Sequence, residues 1–244
     1  MKAMIFAAGL GTRLKPLTDS LPKALIPVGD VPLLEHIILK LKSEGFDEII
    51  VNVHHFADLI IDFLHQKQNF GIRIEISDER NLLLNTGGAI KKAGWFFDDG
   101  KPFLVHNVDI FSNINLTELY QSHVQSDMLA SLVVSPRETS RYLLFNQDLY
   151  MEGWINYMTG EIRPESLHNI QPFQKLAFSG IQILSPEVLT LMEQFPNQFP
   201  IMSFYLSNTD KKIKGYVPDK FQMLDVGKID ILDRAEEFLE TIQK

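Results

Sequence analysis

The 244-residue chain carries a formal charge of −8, with 45% hydrophobic and 22% charged residues. This ordinary globular balance argues against disorder, and against a general nucleic-acid binder, which depends on clustered Lys and Arg. No apolar run approaches the roughly 20 residues of a membrane span, MKAMIFAAGLG is too short and glycine-rich for a secretory signal, and the absence of cysteine excludes disulfides and thiolate metal sites. A cytoplasmic protein is the expectation, and the length suits one large α/β domain.

KAMIF (2–6) reads as a short buried strand, followed by the glycine loop AAGLGTRLKPLT (7–18). Pro16, Pro22, Pro27 and Pro32 then punctuate an extended, tightly turned segment. Leu34, Ile37, Ile38 and Leu41 recur at helical spacing from Leu33, and Gly45 suits the helix end. EIIVNV (48–53) is the next buried strand, and Phe56, Leu59, Ile60, Phe63 and Leu64 mark a second amphipathic helix. A strand at IRIEI (72–76), a helix after Thr86-Gly87-Gly88 and a strand at PFLVHN (102–107) complete a βαβαβ alternation. Such alternation predicts a mostly parallel sheet covered on both faces. Beyond it, MLASLVV (128–134) and AFSGIQIL (177–184) are core strands, 137–176 holds short strand candidates without clear caps, and 229–242 is a last helix. No internal repeat or Ser/Gly-rich linker divides the chain, so a single domain over 1–244 is expected.

Ligands of doubly wound sheets bind at the carboxyl ends of strands. Four features fall there: the glycine loop, His54-His55, Asn107 with Asp109, and Asp225. Gly9 and Gly11 let backbone N–H groups approach phosphate oxygens, and Arg13 adds a cationic fork, although a tight turn with a solvated arginine has the same sequence. The loop is not a Walker A motif, because Gly11 is followed by Thr12-Arg13. Lys23, stiffened between prolines, is either an inward-aimed cation or a surface lysine. Asp109 and Asp225 are either turn residues or a carboxylate pair that shares a Mg²⁺ with phosphate oxygens. His54 and His55 have no third ligand nearby in sequence, Asp98-Asp99 reads as an exposed turn, and Ser179 lacks a G-x-S-x-G elbow.

Taken in order, AAGLGTRLKPLT, PKALIPV, NTGGAI, NVD (107–109), FSGI (178–181) and LDVG (224–227) resemble the motifs of the sugar-phosphate nucleotidyltransferases. The resemblance runs from residue 1 to about 240, and G-x-G-T-R…P-K is its most specific part. The short members are the most similar, those that transfer uridylyl to N-acetylmuramate 1-phosphate or guanylyl to mannose 1-phosphate. The resemblance implies a Rossmann-like α/β fold of the GT-A type, a three-layer sandwich without the C-terminal β-helix of longer relatives. It implies an NTP, most of all UTP, and a sugar 1-phosphate as substrates, with Mg²⁺ as cofactor. Ala8, Gly9, Gly11, Thr12 and Arg13 would then wrap the nucleotide, and Lys23 would bridge nucleotide and sugar phosphate. Gly87 and Gly88 would approach base and ribose, Asn107 would contact the nucleotide, and Asp109 and Asp225 would hold the metal. Arg13, Lys23 and Asp109 would be the catalytic residues.

Three departures stand out: Val108 replaces the usual glycine before the aspartate, Lys228 follows LDVG where Thr is common, and 150–175 lacks the Glu-Lys-Pro sugar-phosphate motif. The sugar is therefore expected to be read by 137–176, with its aromatics Tyr142, Trp154 and Tyr157, together with Ser179 and Gly180. A glycosyltransferase consuming nucleotide-sugars would usually show Asp-x-Asp where this chain has Asn107-Val108-Asp109, and an inactive nucleotide-sensing homologue would have lost Arg13, Lys23 or an aspartate. A monomer or small homo-oligomer is expected.

Overall fold

The computed structural model describes residues 1–242. β1 (Lys2–Phe6) leads into the glycine loop, three single-turn 3₁₀ segments, and a small hairpin of β2 (Pro27–Val28) and β3 (Val31–Pro32). α1 (Leu33–Ser43), β4 (Glu48–Val53), α2 (Ala57–Gln66), β5 (Arg73–Asp78), α3 (Asn85–Ala93) and β6 (Phe103–Asn107) follow as the alternating half. The second half comprises β7 (Ile110–Ser112), α4 (Leu116–Val124), β8 (Ala130–Ser135), β9 (Arg141–Phe145), β10 (Met151–Asn156), β11 (Glu161–Arg163) and β12 (Gln174–Leu184). α5 (Glu187–Met192), α6 (Ile201–Leu206), β13 (Ile213–Tyr216), β14 (Met223–Asp225) and α7 (Ile229–Ile242) end the described chain.

The central sheet runs β11-β10-β9-β12-β6-β1-β4-β5, with β8 and β13 joined to it through β12. Its core, β5-β4-β1-β6, is parallel throughout. β12 then runs antiparallel to β6 and β8, and its first residues pair with β9 of the β9–β11 meander. The sheet is therefore mixed around a parallel core. The reason for the parallel core is visible in the side-chain pattern. Along β1, Ala3 and Ile5 face the helices α1 and α2, whereas Met4 faces α3. Strands apolar on both faces must be covered on both faces, which gives three layers.

The strand order reverses at β1, whose neighbours β4 and β6 lie on opposite sides. The crevice of such a switch point opens at the strands' carboxyl ends, where residues 7–13 and 107–109 emerge. Several expected elements differ in detail. α3 begins at Asn85, so Gly87 and Gly88 lie inside its first turns instead of before it. Asp98 pairs with Lys2, whose Nζ also donates to Phe96 O at 2.7 Å, so the FDDG turn anchors the first strand.

Two buried histidines are neutral at pH 7, each with a single ring proton. Burial lowers both His106 and His123 from the ordinary 6.5 to about 4. His123 Nδ1 meets Ser131 Oγ at 2.8 Å and its Nε2 meets Ser185 Oγ at 3.0 Å. Since the Ser185 hydroxyl donates to Met128 O, the Nε2–H tautomer satisfies the set. His106 Nε2 has no partner among the described residues. Between pH 6.5 and 4 the unfolded chain binds protons that the folded chain refuses, so stability falls as pH falls through this window. Each histidine should cost roughly 2 kcal/mol between pH 7 and 5. Denaturant titrations at both pH values should show this loss, and His123→Gln should reduce the slope by about half.

Candidate active site

A cleft of about 430 Å³ opens at the carboxyl ends of β1, β4 and β6. Its lining includes Ala8, Gly9, Lys23, Asn107, Val108 and Asp109, gathered from three separated parts of the sequence. Gly11 shapes the loop above it. Its φ is +62°, and a Cβ there would lie 2.7 Å from Thr18 Cγ2 and 3.1 Å from Lys23 Cβ. Only glycine combines that left-handed backbone with so close an approach. Thr18 Oγ1 donates to Gly11 O at 2.9 Å and Leu14 N–H donates to it at 2.8 Å, which folds the loop back over the Lys23 turn.

Lys23 is aimed inward and pairs with Asp109, their side chains only 12% and 13% exposed. Asp109 reaches Asp225 through backbone pairing. β7 and β14 are antiparallel, Asp225 is in register with Ile110, and Val226 N–H donates to Asp109 O at 2.8 Å. Arg13 and Asp225 flank Gly227 without forming an ion pair, and a Cβ there would lie 2.7 Å from both Arg13 Nη2 and Asp225 Oδ1. Burial first, and the negative charge of Asp109 second, raise the Asp225 carboxyl above its ordinary 3.8; Lys23, Arg13 and Arg137 oppose the rise. The site thus holds two mutually repelling carboxylates among cations.

Among the described residues, no group of three or more His, Cys, Asp or Glu is arranged to hold a metal. Two hard carboxylates are nonetheless the donor set that Mg²⁺ takes, because it keeps several waters and completes its shell with substrate phosphates. The carboxylates present fit that ion.

Other expected residues occupy supporting positions. Gly87 and Gly88 are buried against the Phe199 ring and Asn197 O, where any Cβ would clash, and their neighbours Asn85 and Thr86 line the cleft instead. Ala8 N–H is committed to Asn52 Oδ1 at 3.3 Å. Thr12 opens the 3₁₀ turn that carries Arg13. Gly180, at φ +73°, leaves room for the Asn107 amide, since a Cβ would lie 2.6 Å from its Nδ2. Ser179 is buried beneath, its hydroxyl without a partner among the described residues. Tyr142 and Tyr157 pack edge to face at 5.8 Å, and Trp154 borders a separate shallow groove against α6; none of the three lines this cleft. His54 Nδ1 bonds Glu79 O at 2.7 Å and the His55 ring packs at a tilt against Phe56, so neither is arranged as a ligand. Lys15 pairs with Asp19 in solvent.

Three residues escaped the motif reading: Asn52, Glu79 and Arg137. Asn52 and Glu79 line the cleft, and Arg137 donates to Phe178 O at 3.0 Å beside Ser179. Asn52 had one available signal, a lone polar side chain inside the buried run EIIVNV.

The nucleotidyl transferase family model matches residues 2–148. A UTP–glucose-1-phosphate uridylyltransferase of Synechocystis sp. is 36% identical over 144 residues, covering 54% of this chain and 37% of that protein. An N-acetylmuramate alpha-1-phosphate uridylyltransferase of Neisseria meningitidis serogroup B is 34% identical over 194 residues, covering 79% of each. The match to the Synechocystis protein thus spans well under half of that relative's length. HddC from Yersinia pseudotuberculosis, crystallised with GMP-PN, superposes with a TM-score of 0.76 at 24% identity, covering 98% of this chain and 99% of its own. That likeness shows the shared fold.

The charge arrangement predicts a measurable titration. Asp225 should ionise above the ordinary 3.8. Asp109→Asn should lower its pKa by removing a negative neighbour, and Lys23→Met should raise it by removing a positive one. Carboxyl-detected NMR across pH 3 to 7 checks both signs; shifts in the opposite directions would show that the groups do not face one another.

Proposed function

This chain belongs to the nucleotidyl transferase family, and on that premise we propose that it transfers a nucleotidyl group from an NTP to a sugar 1-phosphate. The observation that carries the reading is the meeting of Arg13, Lys23, Asp109 and Asp225 at the carboxyl ends of β1 and β6. The glycine loop supports the nucleotide end of it. With the Ala7 and Ala8 N–H groups bound to Asn52, the amides from Gly9 onward are the ones left to face phosphate oxygens.

In the proposed reaction a sugar-phosphate oxygen attacks the α-phosphorus of the NTP, and pyrophosphate leaves from the opposite side. The attacking phosphate is already ionised at neutral pH, so no residue need remove a proton. Two polyanions must instead be brought together in line, which is a task of positioning and charge. Lys23, stiffened by its flanking prolines, aligns the incoming phosphate. Arg13 stabilises the departing pyrophosphate. Asp109 and Asp225 would hold a Mg²⁺, which would supply further neutralisation of negative charge. Ala8, Gly9, Gly11 and Thr12 enclose the triphosphate, Asn107 contacts the nucleotide, and the turn bearing Gly87 and Gly88 borders the base and ribose.

For the substrates we propose UTP and N-acetylmuramate 1-phosphate. The Neisseria relative, matched over 79% of both chains, is named for N-acetylmuramate alpha-1-phosphate and for uridylyl transfer. Glucose 1-phosphate is the competing sugar, on the strength of the Synechocystis relative's name, and GTP with mannose 1-phosphate is the alternative pair. The segment 137–176 with Ser179 and Gly180 is proposed to set the choice of sugar.

A pyrophosphate-release screen crossing four NTPs with N-acetylmuramate, glucose and mannose 1-phosphates tests the whole reading. Release with UTP and N-acetylmuramate 1-phosphate is expected, and activity with GTP and mannose 1-phosphate alone would defeat the substrate choice. Asp109→Asn, Asp225→Asn and Arg13→Ala should each lower turnover about a hundredfold or more, as removal of a charge-stabilising group does. Lys15→Ala should stay within about twofold, because its pairing with Asp19 is solvent-exposed. Equal losses for Arg13→Ala and Lys15→Ala would mean that the triphosphate cation has been misassigned.

A further inference from the structure

The proposed chemistry leaves two cleft residues without a role. Asn52 is the penultimate residue of β4 and Glu79 follows β5, and they are 4% and 1% exposed. Their side chains form one connected chain of hydrogen bonds. Asn52 Oδ1 accepts from Ala7 N–H at 2.8 Å and from Ala8 N–H at 3.3 Å. Asn52 Nδ2 donates to Glu79 Oε1 at 2.8 Å, and Glu79 Oε2 accepts from Leu84 N–H at 3.0 Å. Glu79 is thus a buried carboxylate bound by neutral donors, on the path between two walls of the cleft. One wall begins at Ala8 and continues into Gly9 to Arg13; the other begins at Leu84 and continues into Asn85 and Thr86.

The donors dictate the residue types. Two backbone N–H groups require the Asn52 oxygen, so its amide nitrogen must face Glu79. Glu79 then meets a donor on each side, Asn52 Nδ2 and Leu84 N–H. A carboxylate offers an acceptor to both, whereas a glutamine offers one acceptor and sets a donor against a donor. In a site this buried, the unpaired group loses its water without replacement.

We propose that Asn52 and Glu79 are positioning residues that lock the glycine loop to the approach of α3, fixing the separation of the walls between which the nucleotide is held. The proposal rests on the nucleotidyl-transfer reading of the cleft. It predicts an effect on nucleotide binding in particular, because neither residue touches the Lys23–Asp109 pair or the 137–176 segment through this chain of bonds.

The same logic supplies a rescue. Asn52→Asp alone sets two carboxylates against each other, and Glu79→Gln alone leaves one donor unpaired. Combined, every bond can be remade: Asp at 52 accepts from Ala7, Ala8 and the glutamine amide, and the glutamine oxygen accepts from Leu84. UTP affinity by calorimetry, and KM for UTP and for the sugar phosphate by pyrophosphate release, should be measured for the wild type, both single variants and the double variant. Each single variant should bind UTP about tenfold or more weakly, the size of effect expected from one unpaired buried group, with the KM for the sugar phosphate within about twofold. The double variant should return to within about threefold of wild type. Where a single variant does not fold, recovery of both folding and UTP binding in the double variant supports the relay. Single variants that bind UTP like wild type, or a double variant that folds but binds no better than the worse single one, overturn it. A folded wild type that binds none of the four NTPs overturns the reading of the cleft, and the proposal with it.

Discussion

The largely buried ion pair between Lys23 and Asp109 is the constraint on which the arrangement of the cleft depends. Withdrawing two charges from water is costly, and their attraction offsets that cost only when the geometry is held and neither partner is left alone. The fold holds both ends. Lys23 sits in a 3₁₀ turn between prolines, packed under Gly11. Asp109 sits in the tight connection from β6 to β7, where Val108 N–H donates to Phe6 O and Val226 N–H donates to Asp109 O. The pair therefore ties the loop after β1 to the turn after β6, across the point where the strand order reverses. Asp225 enters beside it through β14, and Arg13 enters over Gly227. A local excess of like charge is tolerated because opposite charge comes from another part of the chain.

Much of this was legible in the sequence, and the reason is physical. Strands buried on both faces need continuous apolar runs, and KAMIF, EIIVNV and PFLVHN supply them. Helices covering such strands need a one-sided stripe, and Leu34, Ile37, Ile38 and Leu41 provide it. Arg13, Asp109 and Asp225 stood out because each lies just past a glycine loop or an apolar strand, where a charge needs a reason, and Lys23 because prolines stiffen its segment. The β9–β11 meander was legible only as short strand candidates within 137–176, because such short strands carry too little pattern to fix their bounds. The role of Gly87 and Gly88 was not legible. Their motif reads as a loop before a helix, yet both lie within α3, where the lack of a Cβ admits Phe199 and Asn197. That contact joins residues more than a hundred positions apart, which no local pattern can show. Glu79 was hidden for the same reason: nothing local marks it, and only its pairing with Asn52 and Leu84 reveals a buried carboxylate.

The two sides of the cleft are built by different means, and this bears on how a site of this kind divides its tasks. On the side of β1, β4 and β5, the walls belong to the parallel core, and their backbone groups are tied by buried side chains such as Asn52. A nucleotide bound there meets a surface that cannot readjust without breaking several buried bonds at once. Behind Asn107, on the other side, β12 is an antiparallel extension whose register slips between Phe178 and Gln182. The slip releases Ser179 and Gly180 from regular pairing, lets Asn107 rest against Gly180, and brings Phe178 O within reach of Arg137. Residues there can change without disturbing the parallel core. The proposed reaction, which joins two anionic partners, would need the phosphates held in one geometry whatever the sugar. On that proposal the rigid half would suit the triphosphate and the adjustable half the group that differs between substrates. Val108 marks the boundary between the halves. Its side chain belongs to the hydrophobic core while its backbone spans Asn107 and Asp109, so a valine there stiffens the floor on which both halves stand.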